Sequence, residues 1–184
     1  MKISKFFLSA VLVLVFPLAA NAAVFNLAAT LTPGAEVPPV TAPGAMGDAA
    51  MVLNDVTGMF AWIISFEGLT GPAVAAHFHE APAGMNGGVV LDLDTDPGVI
   101  FSGLGADSGI FAGATTLSAD AVMTLLSGNW YINIHTEANG GGEIRGQVLG
   151  GTFNPIPLPA TAWLFLSGLA GLLIVKRTKT SNTV

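Results

Sequence analysis

Apolar and polar residues alternate with a period of two through most of the middle of the chain. Phe60, Trp62, Ile64 and Phe66 alternate up to Gly68, and Val74, Ala76 and Phe78 alternate up to Pro82-Ala83-Gly84. Trp130, Ile132 and Ile134 alternate before a glycine run, after which Ile144 and Val148 follow. Such patterning, punctuated by Gly, Asn, Asp and Pro, predicts half-buried antiparallel strands. Segments 25–31, 49–53, 88–93, 99–101 and 109–117 are further strand candidates. Only 118–126 reads as a helix, with Ser118 placed to cap it and Asp120 suited to its first turn. Seven or eight short strands between residues 24 and 150 predict an all-β domain, a single antiparallel sandwich or Greek-key barrel.

The same alternation says what turns away from the core, because residues i and i+2 of a strand share a face. With Val74, Ala76 and Phe78 inward, His77 and His79 point outward side by side. With Trp130, Ile132 and Ile134 inward, Tyr131, Asn133 and His135 point outward. With Ile144 and Val148 inward, Glu143, Arg145 and Gln147 point outward. A hairpin across 136–142, with Asn139-Gly140-Gly141-Gly142 in the turn, sets His135 opposite Glu143, Asn133 opposite Arg145 and Tyr131 opposite Gln147. A slip of two residues would oppose His135 to Arg145, which is electrostatically poorer.

Charge is distributed unevenly. Between Val24 and Gly150 the only cation is Arg145, while all 12 carboxylates of the chain lie there, giving a net −11. That surface repels phosphate and excludes nucleic acid as a partner. Without Lys in this region there is no P-loop or Schiff-base lysine. The absence of Cys removes disulfides, thiol catalysis and thiolate metal sites. There is no Gly-x-Ser-x-Gly elbow and no His-Glu-x-x-His helix. No catalytic residue is assigned, and the chain reads as non-enzymatic.

The five other cations sit at the two ends. Residues 1–22 have the charged, apolar and Ala20-Asn21-Ala22 parts of a secretory signal, which predicts cleavage by signal peptidase between Ala22 and Ala23. The β-domain is expected over 23–150. Residues 151–160 read as a proline-containing linker and motif, 161–175 as an apolar membrane helix, and 176–184 as a basic tail held in the cytoplasm. Ile156 followed by Pro157, Leu158, Pro159 and Ala160, then an apolar helix and a basic tail, resembles the PEP-CTERM sorting signals, most closely the Val-Pro-Leu-Pro-Ala variant. That resemblance implies an exosortase-type partner, an intermediate anchored in the inner membrane, and delivery to the cell surface or extracellular matrix. A permanent tail anchor is the alternative.

The β-domain also carries a resemblance. Glu36-Val37-Pro38-Pro39, His77-Phe78-His79 with Gly84-Met85-Asn86-Gly87, Trp130 to Thr136, and Gly142-Glu143-Ile144-Arg145-Gly146-Gln147 occur in one order. This order resembles the CHRD domain, named after chordin. It implies an immunoglobulin-like β-barrel and leaves the biochemical role open, with a binding or structural role at the surface as the first expectation.

The alternative, a metal-binding domain that leaves room for metal-dependent enzymatic activity, rests on the histidines. His-x-His on a strand presents two imidazoles to one ion, and His135 from a neighbouring strand would complete a three-histidine set suited to Zn or Cu. The layout resembles copper–zinc superoxide dismutases, which need more imidazoles than the three present. The other reading is that His77, His79 and His135 hydrogen-bond neighbouring carbonyls and carboxylates. The carboxylate surplus is expected to raise their pKa values, so that metal affinity falls early on acidification. Glu143 and Arg145 are assigned structural roles, with a charged fork from Arg145 to Glu36 or Glu67. Asp92, Asp94 and Asp96 do not fit the EF-hand template, since Pro97 stands at its glycine position, and read as a solvated turn.

The two ends generate a testable expectation. In a host with an exosortase, the mature chain should begin near Ala23 and lose its tail near Pro159–Ala160. Intact-mass analysis of surface-released protein checks this, and recovery of species retaining Lys176–Val184 would support the permanent anchor instead.

Overall fold

Alternation becomes ten strands. In the computed structural model, which describes residues 22–155, the chain runs β1 (Ala23–Leu31), β2 (Met46–Asn54), β3 (Met59–Glu67), β4 (Ala73–Glu80), β5 (Gly88–Asp92), β6 (Val99–Phe101), β7 (Gly109–Thr116), α1 (Ala119–Leu126), β8 (Trp130–Thr136), β9 (Ile144–Gln147) and β10 (Leu149–Pro155). The signal-peptide residues before Ala22, the motif Pro157–Ala160, the apolar segment 161–175 and the basic tail lie outside the described residues. Among the described residues no helix is long and apolar enough to cross a membrane.

All the paired strands are antiparallel and form two sheets, one in the order β10-β1-β2-β3-β7-β6 and one in the order β5-β4-β8-β9. The domain is therefore all-β, a sandwich of a large and a small sheet. The inner faces meet through an aromatic cluster. The Phe60 ring lies 5.5 Å from Phe78 and 6.2 Å from Trp130, both edge-on, and Trp62 lies 6.0 Å from Phe78. Edge-to-face pairs place ring hydrogens against π clouds and add to the burial of area. Trp62 and Trp130 are both buried, as the alternation requires. Trp130 also donates from its indole N–H to Thr124 Oγ1 of α1 at 2.8 Å. The helix forms where expected, and the Ser118 hydroxyl accepts from the Ala121 N–H at 3.2 Å.

The two sheets are joined along one edge. β9 belongs to the small sheet and β10 to the large one, and the buried Val148 is the single residue between them. Next to it, Thr32 just past β1 exchanges both backbone hydrogen bonds with Arg145 of β9. β10 continues to Pro155, where it opposes Ala23, so pairing extends five residues into the segment read as linker.

Two face assignments change. A register shift between Ala73 and Ala75 lets Ala73 turn inward and leaves Val74 exposed, because an extra residue inverts the alternation on one side of a bulge. More consequentially, β8 is buried on both faces. Tyr131, Asn133 and His135 do point away from the sandwich core, but with Glu143 and Arg145 they lie under loops and are buried, not open to water. The hairpin register is the expected one, with Tyr131 opposite Gln147 and Asn133 opposite Arg145.

Because Trp130 fills the junction of both sheets and α1, Trp130→Ala is expected to cost about 3–5 kcal/mol in urea unfolding. A loss below about 1 kcal/mol would contradict its place in the core.

Candidate metal centre

Strand geometry brings the three histidines together. His77 and His79 share the outer face of β4, and β8 runs beside it with His77 opposite Asn133 and Ala75 opposite His135. His135 is thus the diagonal neighbour of His77, a spacing that long and aromatic side chains bridge. One ring nitrogen from each histidine lies within 4.8 Å of the other two. The shortest separation, His77 Nδ1 to His135 Nε2, is 3.2 Å. Two nitrogens bound tetrahedrally to one zinc at ~2.0–2.1 Å sit about 3.3 Å apart, so this pair already stands at the distance of co-ligands.

The other ring nitrogens of His79 and His135 are hydrogen-bonded on the far side, and that of His77 has a carboxylate near it. His79 Nδ1 faces Gly87 O at 3.0 Å and His135 Nδ1 faces Gly140 O at 3.1 Å. A carbonyl only accepts, so both Nδ1 atoms carry the hydrogen and both Nε2 lone pairs turn towards the cluster. His77 Nε2 faces Asp92 Oδ2 at 3.6 Å, which leaves its Nδ1 for the cluster. A carbonyl or carboxylate behind each imidazole is the usual means of fixing a metal-binding tautomer. His79 Nε2 is buried and has no partner among the described residues.

Burial governs the protonation of this cluster. It lowers the pKa of His79, and it lowers that of His135 to about 4, with the neighbouring His77 adding to the effect. The expected upward shift from the carboxylate surplus is therefore overturned. Those carboxylates lie mostly in water, whereas the histidines lie under loops.

Those loops are held by a second polar layer. Arg145 is 2% exposed. It donates from Nη1 to Asn86 Oδ1 at 2.9 Å and from Nη2 to Met85 O at 2.6 Å, and its guanidinium carbon sits 3.4 Å above the centre of the Tyr131 ring. The expected fork to Glu36 or Glu67 is absent, because the 84–87 turn supplies the acceptors instead. Tyr131 stacks on His79 with centroids 4.8 Å apart and planes at 7°, and its hydroxyl accepts from the Gly87 N–H. The 84–87 turn thus links Arg145 to the histidine cluster. Gly87 must lack a side chain, since a Cβ there would run into the Glu80 carbonyl.

Glu143 ties the other turn down. It accepts from the Thr70 N–H and hydroxyl at 2.6 and 2.7 Å, from Thr136 Oγ1 at 2.6 Å and from Asn139 Nδ2 at 2.9 Å. Burial alone would raise its pKa, but these donors together hold it below the ordinary value. Asp92, Asp94 and Asp96 do not converge on a point. Asp92 Oδ1 accepts from the Asp94 and Thr95 N–H groups, and Asp96 Oδ2 accepts from the Asp92 N–H, which is how an acidic turn folds on itself.

A model of the CHRD domain matches residues 27–148. The chain belongs to the CHRD family. The four motifs quoted for this domain lie within the match, and with them the three histidines, Glu36, Arg145 and the 84–87 turn. No curated protein and no solved structure matches the chain. What the sequence did not reveal in the CHRD domain is the pairing of Asp92 with His77, the carbonyls of Gly87 and Gly140, and the burial of Glu36. Asp92 could have been found from the end of its strand, since β5 places it opposite His77. Backbone carbonyls leave no sequence signal beyond the glycines themselves.

Glu36 yields a measurable consequence. Burial raises its pKa to about 7, against the attraction of Arg145 and a weak bond from Asn133. The folded chain therefore keeps a proton that the unfolded chain releases between pH 4.5 and about 7. This contribution to stability is complete at low pH and is lost as pH rises through that window. His135 acts in the opposite sense, contributing above pH 6.5 and losing its contribution as pH falls towards about 4. Glu36→Gln keeps the shape without the charge. Between pH 5 and pH 8 it should gain up to ~3 kcal/mol on the unaltered chain in urea unfolding. An equal difference at both pH values would show that Glu36 is ionised throughout.

Proposed function

We propose that this CHRD domain binds a divalent transition metal, Zn²⁺ or Cu²⁺, through His77, His79 and His135. The protein that carries it is exported and non-catalytic, with a binding or structural role at the cell surface or in the extracellular matrix. The observation that supports metal binding is the orientation of the cluster: each imidazole has an acceptor behind it and its other nitrogen turned to a common point. Histidines serving only as hydrogen-bonding residues have no need to aim three nitrogens at one another, one of them buried without a partner. Imidazole donors suit both zinc and copper.

Export is supported by the sequence of the two ends. The secretory signal would deliver the chain to signal peptidase, and Pro157–Ala160 with the apolar segment would hold it in the inner membrane for an exosortase-type enzyme. The cysteine-free domain needs no oxidative folding outside the cell. Its acidic surface keeps it soluble and away from nucleic acid.

Titration of the full chain with Zn²⁺ and Cu²⁺ at pH 7.5 tests the reading. At least one ion should bind with Kd below ~100 μM and raise the melting temperature by mass action. Each single His→Ala change should remove most of the binding. Because burial lowers the pKa of His79 and brings that of His135 to about 4, affinity at pH 5.5 should fall less than the roughly thousandfold that three ordinary imidazoles would impose. Binding that survives the triple His→Ala change would refute the site.

A further inference from the structure

We infer that the three-histidine centre is coordinatively open, and that its fourth position takes a small monovalent anion entering past His77. The inference rests on the metal reading and extends it to the exchangeable ligand.

The donor inventory comes first. The whole sequence holds three histidines and no cysteine, so every imidazole is already in the cluster and no thiolate exists to join it. Among the described residues no carboxylate belongs to the group. The oxygens nearest the rings have other work. Gly87 O and Gly140 O accept from the far nitrogens of His79 and His135. Asp92 faces the far nitrogen of His77, and its Oδ1 takes two backbone N–H groups. The Tyr131 hydroxyl is turned to the Gly87 N–H. These groups orient the ligands and do not add to them. Zinc and copper with three protein nitrogens complete their coordination from outside the chain, whereas closed structural zinc sites use four side chains.

Access follows from burial. His79 and His135 lie under the 84–87 and 137–142 turns and are 9% and 8% exposed. The His77 side chain keeps 19% and that of Asp92 31%. The approach from water is therefore on the His77–Asp92 side. The rings leave little room, with centroids 5.1–6.1 Å apart, so the entering ligand is small.

Charge sets its sign and valence. A divalent ion on three neutral imidazoles keeps its full charge, and the buried Arg145 guanidinium, lying 3.4 Å over the Tyr131 ring that itself stacks on His79, adds a positive field nearby. Both favour an anion over a neutral ligand. Asp92 stands at the mouth and opposes it, and the acidic surface beyond opposes polyanions still more. The combination selects a compact monoanion.

Azide titration of the full chain loaded with one equivalent of Cu²⁺ tests this. A saturable azide-to-copper charge-transfer band with one azide per copper is expected, while nitrogen hyperfine structure from three imidazoles persists in the electron paramagnetic resonance spectrum. Asp92→Asn keeps the Oδ1 acceptor but removes the charge at the mouth, and it should tighten azide about threefold to tenfold. If copper binds and azide leaves both spectra unchanged, the centre is closed and this inference fails while the metal reading stands. Loss of the nitrogen hyperfine structure on adding azide, which means that azide strips the copper, overturns it equally. If copper does not bind, this inference fails, and if zinc does not bind either, the metal reading fails with it.

Discussion

Loops cover most of the outer face of the small sheet, and the polar groups beneath them depend on partners inside the protein. A buried polar group without a hydrogen bond costs on the order of 1–3 kcal/mol, and an unpaired charge costs more. Arg145 shows how the cost is met. Its guanidinium is flat, so one face covers Tyr131 while its edge donates to the 84–87 turn. The same turn must then pass close to the sheet, which is why Gly87 has no room for a side chain. The opposite turn behaves alike: a Cβ on Gly142 would collide with Asn133 and Glu36. Buried cation, glycine turns and doubly covered strand are one arrangement.

Four side-chain atoms in this layer have no hydrogen-bond partner among the described residues: Glu36 Oε1, Asn133 Oδ1, Gln147 Oε1 and His79 Nε2. Glu36 Oε1 and Asn133 Oδ1 are both acceptors without donors, lying on either side of Gly142. A proton on Glu36 turns one acceptor into a donor beside the other, in keeping with its raised pKa. His79 Nε2 is the one nitrogen among the four. Its far nitrogen is fixed as the hydrogen carrier by Gly87, so Nε2 can be completed only through its lone pair, by a hydrogen-bond donor or by a metal ion. The same requirement meets His77 and His135, whose 3.2 Å contact needs a hydrogen between the rings when no ion is present. A metal ion bound there would take the place of that hydrogen, and the His77 proton would then sit on the side that faces Asp92.

The period-two pattern made the fold legible because the core side of each strand is continuous. It gave the face of Trp62 and Trp130 and the register of β8 with β9. It failed at Val74, where a bulge inserts one residue and nothing in the composition announces it. It placed His77, His79 and His135 on the outer side but took outer to mean wet. The reason is physical. Alternation reports which residues avoid the apolar core, and it is silent on a second covering layer made of turns. Tyr131, Asn133 and Arg145 were the available hint, since large polar residues in a row on one face invite a cover. The error in the histidine pKa direction has the same origin: counting carboxylates along the chain ignores that burial under loops outweighs distant, solvated charge.

The pairing of Ala23 with Pro155 on neighbouring strands means that the domain begins and ends at one place. A unit with adjacent ends interrupts its host very little. Such a unit suits insertion into a surface loop of another protein, repetition along a stalk, or suspension from a single short tether. It also makes the domain a natural candidate for circular permutation, with new ends cut at an exposed turn and the old ones joined by a few residues.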